Sequence, residues 1–225
     1  MRLYFYRLII PSVSLLVIVL IYNMRYMSNK FDSTKDIGIK NIVGSGKLPV
    51  EIDTDALAEG LEGIVSDKSY TWQDDGPQPG LYYEVDGDDG PQVTFHMSGS
   101  YIIRADDRKE LEEANTRVLN EMKELGIIEE DYDEENLNFT VQNVVALAKL
   151  NSDISLSALS IGLGPDAQYE PEVFPALDYS KPRYPCSFLV YANGKVIIVG
   201  AKSEDDVRDS MDEFYEEIQE WIDLD

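Results

Sequence analysis

The sequence predicts an α+β fold of two pseudo-symmetric repeats, each a set of antiparallel strands closed by a long helix, with the helices on one face of the sheet. Three observations predict it. An octapeptide recurs 102 residues on: Asn41–Leu48 reads NIVGSGKL and Asn143–Leu150 reads NVVALAKL, with Asn, Val, Lys and Leu identical. Two glycine turns, MSGSYII (97–103) and ANGKVII (192–198), recur at an offset of 95, each between β-prone runs. Two apolar helical stripes recur at an offset of 96: Leu111, Val118, Met122 and Leu125, then Val207, Phe214, Ile218 and Trp221.

In chain order, residues 1–31 contain no acid and carry Arg2, Arg7, Arg25 and Lys30. The 17 uncharged residues 8–24 lie at the lower edge of the length that spans a bilayer, with Pro11 inside them and no A-x-A cleavage site after them. Two readings stay open: a membrane anchor through residues 8–24, or an upstream extension of a protein whose start is Met27. The first repeat is expected over 37–128. It holds the strand at 41–48, a short helix around 53–62, the hairpin strands VTFH and YII, and a helix over 107–126. DDGPQPG (74–80) and VDGDDGPQ (85–92) read as additional loop material. The second loop lacks the late Glu of a calcium-binding EF-hand and reads as a turn. The acidic EEDYDEEN (129–136) connects the copies. The second repeat, expected over 137–223, repeats the order: strand, short helix around 155–162, strands, and a helix over 204–222. Asn193-Gly194 marks its hairpin, because both residues tolerate positive φ.

The 225 residues are 44% hydrophobic and 10% aromatic, enough for a core. The single cysteine, Cys186, excludes an internal disulfide and a cysteine-rich metal site. With 43 acids against 19 bases the net charge is −24, which in ordinary salt opposes a nucleic-acid partner. In molar salt the Debye length shrinks to about 3 Å and the objection weakens. The acids are spread along the chain, as in proteins of salt-loving cells. His96 is the only histidine, and no nucleophile–base pair, phosphate loop or metal cluster is legible, so no enzyme and no cofactor is expected.

With the repeats laid out, NVVALAKL (143–150), YEPEVFPALDY (169–179), FLVYANGKVII (188–198) and VGAKSEDD (199–206) resemble the TATA-box-binding protein family, most closely its archaeal members. The resemblance spans about 37–222, specific in the second copy and weak in the first beyond NIVGSGKL. It implies a saddle: one continuous curved antiparallel sheet with helices on the convex face and DNA against the concave one. The family is itself the type case of apolar wedges driven between base steps.

The resemblance also implies roles. Asn41 and Asn143 donate to minor-groove acceptors, and Val43 and Val145, two residues on and so on the same strand face, touch the groove floor. Phe174 fills the first wedge slot of the second half and Tyr191 the second. In the first half, aligning PGL (79–81) with PAL (175–177) puts Gln78 in the first slot, and aligning the glycine turns puts His96 in the second. Lys195 and Lys202 match phosphate-facing lysines, with Ser100 and Asp107 as first-half counterparts. Arg104 stands opposite Val199 in the alignment, and both are expected at the groove. Glu170, Glu172 and Val173 occupy the loop where the family docks transcription factor B.

The implied function is a general transcription factor that binds and bends A·T-rich promoter DNA and recruits transcription factor B, reaching RNA polymerase indirectly. The rival is a divergent regulatory protein that binds transcription factor B with weakened DNA contact, tethered to a membrane if the anchor is real. The first implies a cytoplasmic, nucleoid-associated location.

Overall fold

A computed structural model describes residues 37–61, 64–73, 76–85, 90–133, 138–150 and 153–222. The anchor and the Met27 start therefore fall outside the described residues, as do residues 86–89 of the 85–92 loop. No helix among the described residues is long and apolar enough to cross a membrane.

The elements follow the repeat. The first copy gives β1 (Gly38–Lys47), α1 (Thr54–Gly60), β2 (Ile64–Gln73), β3 (Gly76–Glu84), β4 (Gln92–His96), β5 (Ser100–Ala105) and α2 (Arg108–Glu124). The second gives β6 (Thr140–Lys149), α3 (Leu156–Leu163), β7 (Ala167–Gln168), β8 (Ala176–Tyr179), β9 (Ser187–Tyr191), β10 (Lys195–Ala201) and α4 (Glu204–Ile222). The chain forms two compact units. An N-terminal unit comprises Ile39–Ala146 with Gly200–Val207, and a C-terminal unit includes Leu147–Val199 and the chain from Arg208. Strand order in the first is β2-β3-β4-β5-β1-β6, and in the second β6-β10-β9-β8-β7.

The glycine hairpins lock both copies in the same way. Leu48 N–H donates to Gly99 O at 2.9 Å, and Leu150 N–H to Gly194 O at 2.7 Å. Ile52 N–H donates to Met97 O, and Ile154 N–H to Ala192 O. Gly99 and Gly194 have φ of 82° and 78°, a backbone conformation that a Cβ disfavours.

The long helices start from matching reciprocal caps. Asp107 Oδ1 accepts from Glu110 N–H at 2.9 Å while Glu110 Oε2 accepts from Asp106 N–H. Ser203 Oγ accepts from Asp206 N–H at 3.0 Å while Asp206 Oδ2 accepts from Lys202 N–H. This geometry corrects one alignment: the counterpart of Lys202 is Asp106, not Asp107, because Asp107 shares the capping position of Ser203.

Within each unit the helices lie on one face. In the N-terminal unit Tyr101 and Phe95 pack as neighbouring rings, and the Tyr101 hydroxyl donates to Asn115 Oδ1 of α2 at 2.7 Å. Gly46 lies against the Tyr101 ring, and a Cβ there would meet Cε1 at 2.7 Å. In the C-terminal unit Phe188 stacks on Phe214 of α4 at 4.2 Å between centroids.

A tyrosine–glutamate strut recurs too. Tyr83 donates to Glu121 Oε1 at 2.5 Å, and Tyr179 to Glu217 Oε2 at 2.9 Å. Burial first, and the facing Glu121 second, push the Tyr83 hydroxyl up to about 12.

Around Glu217 the strut becomes a cluster. Lys181, Arg183 and Tyr184 also donate to its carboxylate, at 2.9, 2.6 and 2.9 Å. Burial alone would raise the Glu217 carboxyl, but the hydrogen bonds from Lys181, Tyr179 and Tyr184 and the Arg183 charge hold it below the usual range. A carboxylate depressed in the folded state stabilises fully above its unfolded value and loses that contribution as pH falls through the folded value. Glu217→Gln is therefore expected to cost about 1–3 kcal/mol at pH 7, with the gap from wild type closing below pH 4. Urea unfolding across a pH series measures it, and a pH-independent gap would contradict the charge-based account.

Candidate nucleic-acid interface

Strand alternation fixes which side chains share the face away from the helices. In the N-terminal unit, Tyr101 and Gly46 mark the helix side of β5 and β1, so Asn41, Val43, Ser45 and Lys47 face the other way. Cross-strand pairing extends that face. Val43 opposes Arg104, Arg104 opposes Gln92, and Gly80 opposes His96. The matching hairpin bonds at Leu48 and Leu150 put Asn143 and Val145 on the corresponding face of β6. In the C-terminal unit Phe188 and Tyr179 mark the helix side, leaving Tyr191, Leu189, Ile197, Val199 and Lys195 on the other.

Apolar residues on this face are closely covered. Val43 is 5% exposed, Val145 0% and Val199 8%. At these positions the helix-free face of each unit is thus closely covered. Ile102 at 37% is the exposed apolar residue in its middle.

Both asparagines are buried, Asn41 at 7% and Asn143 at 8% exposure. Asn143 Oδ1 accepts from Gly200 N–H at 2.8 Å, which fixes the carboxamide and leaves Nδ2 without a partner. Asn41 keeps its Oδ1 unpaired. A buried carboxamide atom without a partner costs stability unless a ligand completes it. His96, 6% exposed, has neither ring nitrogen paired, and burial holds its pKa below the usual histidine value.

Phe174 and Tyr191 come together, with ring centroids 6.5 Å apart and planes at 61°. Phe174 is half-buried in the loop between β7 and β8, where its N–H and that of Val173 both donate to Glu170 O at 2.9 Å. Glu170 and Glu172 are exposed, and Val173 is half-buried.

The first-copy counterpart differs. Residues 76–80, read from the sequence as loop, belong to β3, and Gln78 pairs in register with Thr71 of β2. Alternating β-prone residues in YTW (70–72) extend the ribbon, and the Gln73–Gly76 pair is its outermost. The slot itself survives: Gln78 precedes Gly80 by two, Phe174 precedes Ala176 by two, and Gly80 opposes His96 as Ala176 opposes Tyr191.

The basic residues divide. Lys195 opens β10, with its N–H capped by Asn193 Oδ1 at 3.1 Å. The Lys202 ammonium donates to Gln142 O at 2.5 Å, so it is held against β6. Strand alternation adds Lys47 to the helix-free face of the N-terminal unit, and Lys149 with the Ile197–Leu189 cross-strand pair to that of the C-terminal unit, none of them among the residues to which the motifs assign a role. In the N-terminal unit that face carries Lys47 and Arg104 against Glu84, and in the C-terminal unit Lys149 and Lys195 against Asp178. By contrast α4 alone carries Glu204, Asp205, Asp206, Asp209, Asp212, Glu213, Glu216, Glu217 and Glu220. Nine of the 43 acids of the chain thus lie on this one helix.

The chain is thus an internally repeated α+β module with buried, incompletely paired polar groups on a helix-free sheet face. The profile described as transcription factor TFIID (or TATA-binding protein, TBP) matches residues 138–221. TATA-box-binding protein C of Halobacterium salinarum is 39% identical over 188 residues, covering 83% of this chain and 99% of that one. TATA-box-binding protein 2 of Haloferax volcanii is 33% identical, covering 85% and 96%. Among solved structures, Methanococcus jannaschii TBP superposes with a TM-score of 0.64 at 29% identity, covering 82% of this chain and 99% of that one. The chain belongs to the TATA-box-binding protein family, a family of transcription factors rather than enzymes.

Proposed function

We propose that this protein is a general transcription factor that binds A·T-rich promoter DNA in the minor groove, bends it, and recruits transcription factor B. The observation that carries this reading is the repeat-related pair Asn41 and Asn143. Both are buried on the helix-free face; Asn143 keeps its Nδ2 donors unpaired, whereas the atom left unpaired on Asn41 is its Oδ1 acceptor. At A·T pairs the minor groove offers only acceptors, so the Asn143 Nδ2 donors suit it, and Val43 and Val145 suit the apolar floor. Phe174 and Tyr191 supply the wedge of the second half. Gln78 and His96 make the first half a weaker wedge, so bending is asymmetric. Arg104, Val199, Lys195 and Lys202 line or flank the groove, Lys202 after releasing Gln142 O. Glu170, Glu172 and Val173 offer transcription factor B an exposed acidic edge. The two repeats over 37–128 and 137–223 are the two DNA-binding halves.

The test uses A·T-rich duplexes and their I·C-substituted counterparts, which alter the major groove but keep the A·T-like minor-groove pattern. Equal affinity for the two at high salt supports the reading. Discrimination between them, or binding to transcription factor B without DNA binding, would overturn it in favour of a regulatory protein that sequesters the factor.

A further inference from the structure

We propose that His96 reads the N2 amino group of guanine, so that the first half of this protein accepts and prefers one G·C pair within an otherwise A·T minor-groove site. The inference rests on the DNA-binding reading above and adds a base preference to it.

Position comes first. His96 ends β4 on the helix-free face, opposite Gly80. A Cβ on Gly80 would press on Thr94 Cγ2 at 3.0 Å and would meet the imidazole Cε1 at 3.8 Å, an ordinary contact, so Gly80 places backbone rather than a side chain against the ring. The imidazole thus occupies the place that Tyr191 holds opposite Ala176 in the other repeat. It is 6% exposed, with both nitrogens unpaired.

Chemistry comes second. Burial favours the neutral ring, which carries one N–H donor and one bare acceptor nitrogen. The minor groove offers acceptors at every pair, so the donor finds a partner anywhere. It offers one donor only, the guanine N2 amino group. Against an A·T pair the acceptor nitrogen stays buried and unpaired; against G·C it is completed. A site that must hydrogen-bond discriminates strongly against a partner lacking the group. Asn41 Oδ1 is a second unpaired acceptor, but β4 lies two strands from β1, about 10 Å away, so the two groups reach different base pairs.

Fluorescence anisotropy at one fixed salt concentration tests this. An A·T-only duplex is compared with duplexes in which each pair in turn becomes G·C or I·C. One position is expected where G·C strengthens binding about tenfold over A·T. Inosine there, lacking the N2 amino group, should lose the gain, and His96→Phe should erase the ratio between the G·C and A·T duplexes, whatever it does to affinity for the A·T-only one. Weaker binding with G·C at every position, or a gain that survives inosine, would overturn the proposal. If His96→Phe does not fold, the inosine comparison on the wild-type protein decides alone. Failure to bind any duplex would instead remove the DNA-binding reading itself, and this proposal with it.

Discussion

Replacing Phe174 with Ala is expected to weaken binding to an A·T-rich duplex by about 5- to 150-fold and to abolish the kink at the base step the ring enters. A ring stacked on a base contributes about 1–3 kcal/mol, which converts to that range of affinity. The loop holding Phe174 is set before DNA arrives: two N–H groups, of Val173 and Phe174, converge on Glu170 O, and the ring rests edge-on to Tyr191. Little ordering entropy then remains to offset the contact on binding. Because the ring is only half-buried in the free protein, its removal should cost little folding stability, so lost affinity reports on DNA. Gln78→Ala should have a much smaller effect, since an amide has no comparable stacking face. Equal losses from the two substitutions would contradict the asymmetric account.

Asn143→Asp is expected to abolish selective binding, with a folding cost for the buried carboxylate that the Gly200 N–H bond partly offsets. The substitution keeps an oxygen for Gly200 N–H, which now donates to Asn143 Oδ1 at 2.8 Å. It removes the Nδ2 donors and turns a negative carboxylate toward groove acceptors. Loss of a base contact weighs about 1–3 kcal/mol, and the repulsion adds to it. Asn143→Ala separates the contributions: it loses the groove contact and also leaves Gly200 N–H unpaired, at about 1–3 kcal/mol of folding stability. Anisotropy with duplexes of graded A·T content, beside thermal unfolding, distinguishes them. Asn143→Asp binding A·T-rich DNA as wild type does would refute the donor role.

Most of the architecture was legible because both copies write it in the same local signals. The octapeptide placed β1 and β6, the glycine turns placed the β4–β5 and β9–β10 hairpins, and the helical stripes placed α2 and α4 to within two residues. What misled was the first copy between 64 and 84. There Gly and Pro in DDGPQPG read as loop, yet Gly76–Glu84 is a strand, because the register from Gln73↔Gly76 inward outweighs weak strand propensity. The site was legible where a residue type repeats, as with Asn41 and Asn143. It was not legible where recognition rests on pairing. That Asn143 is anchored by Gly200, that Gly80 pairs with His96, and that Lys202 is held by Gln142 are contacts between residues distant in sequence. Lys47 and Lys149 were within reach all along, since period-2 alternation from Asn41 and Asn143 leads straight to them.

The central claim is that this chain bends A·T-rich DNA from its minor groove, and fluorescence energy transfer across an end-labelled A·T-rich duplex tests it most directly. At molar salt, where the charge of −24 is screened, adding the full-length protein should shorten the end-to-end distance. A G·C-rich duplex of the same length should show no change, and Phe174→Ala should remove most of the shortening. Binding that leaves the end-to-end distance unchanged, or shortening that is indifferent to base composition, would contradict the account.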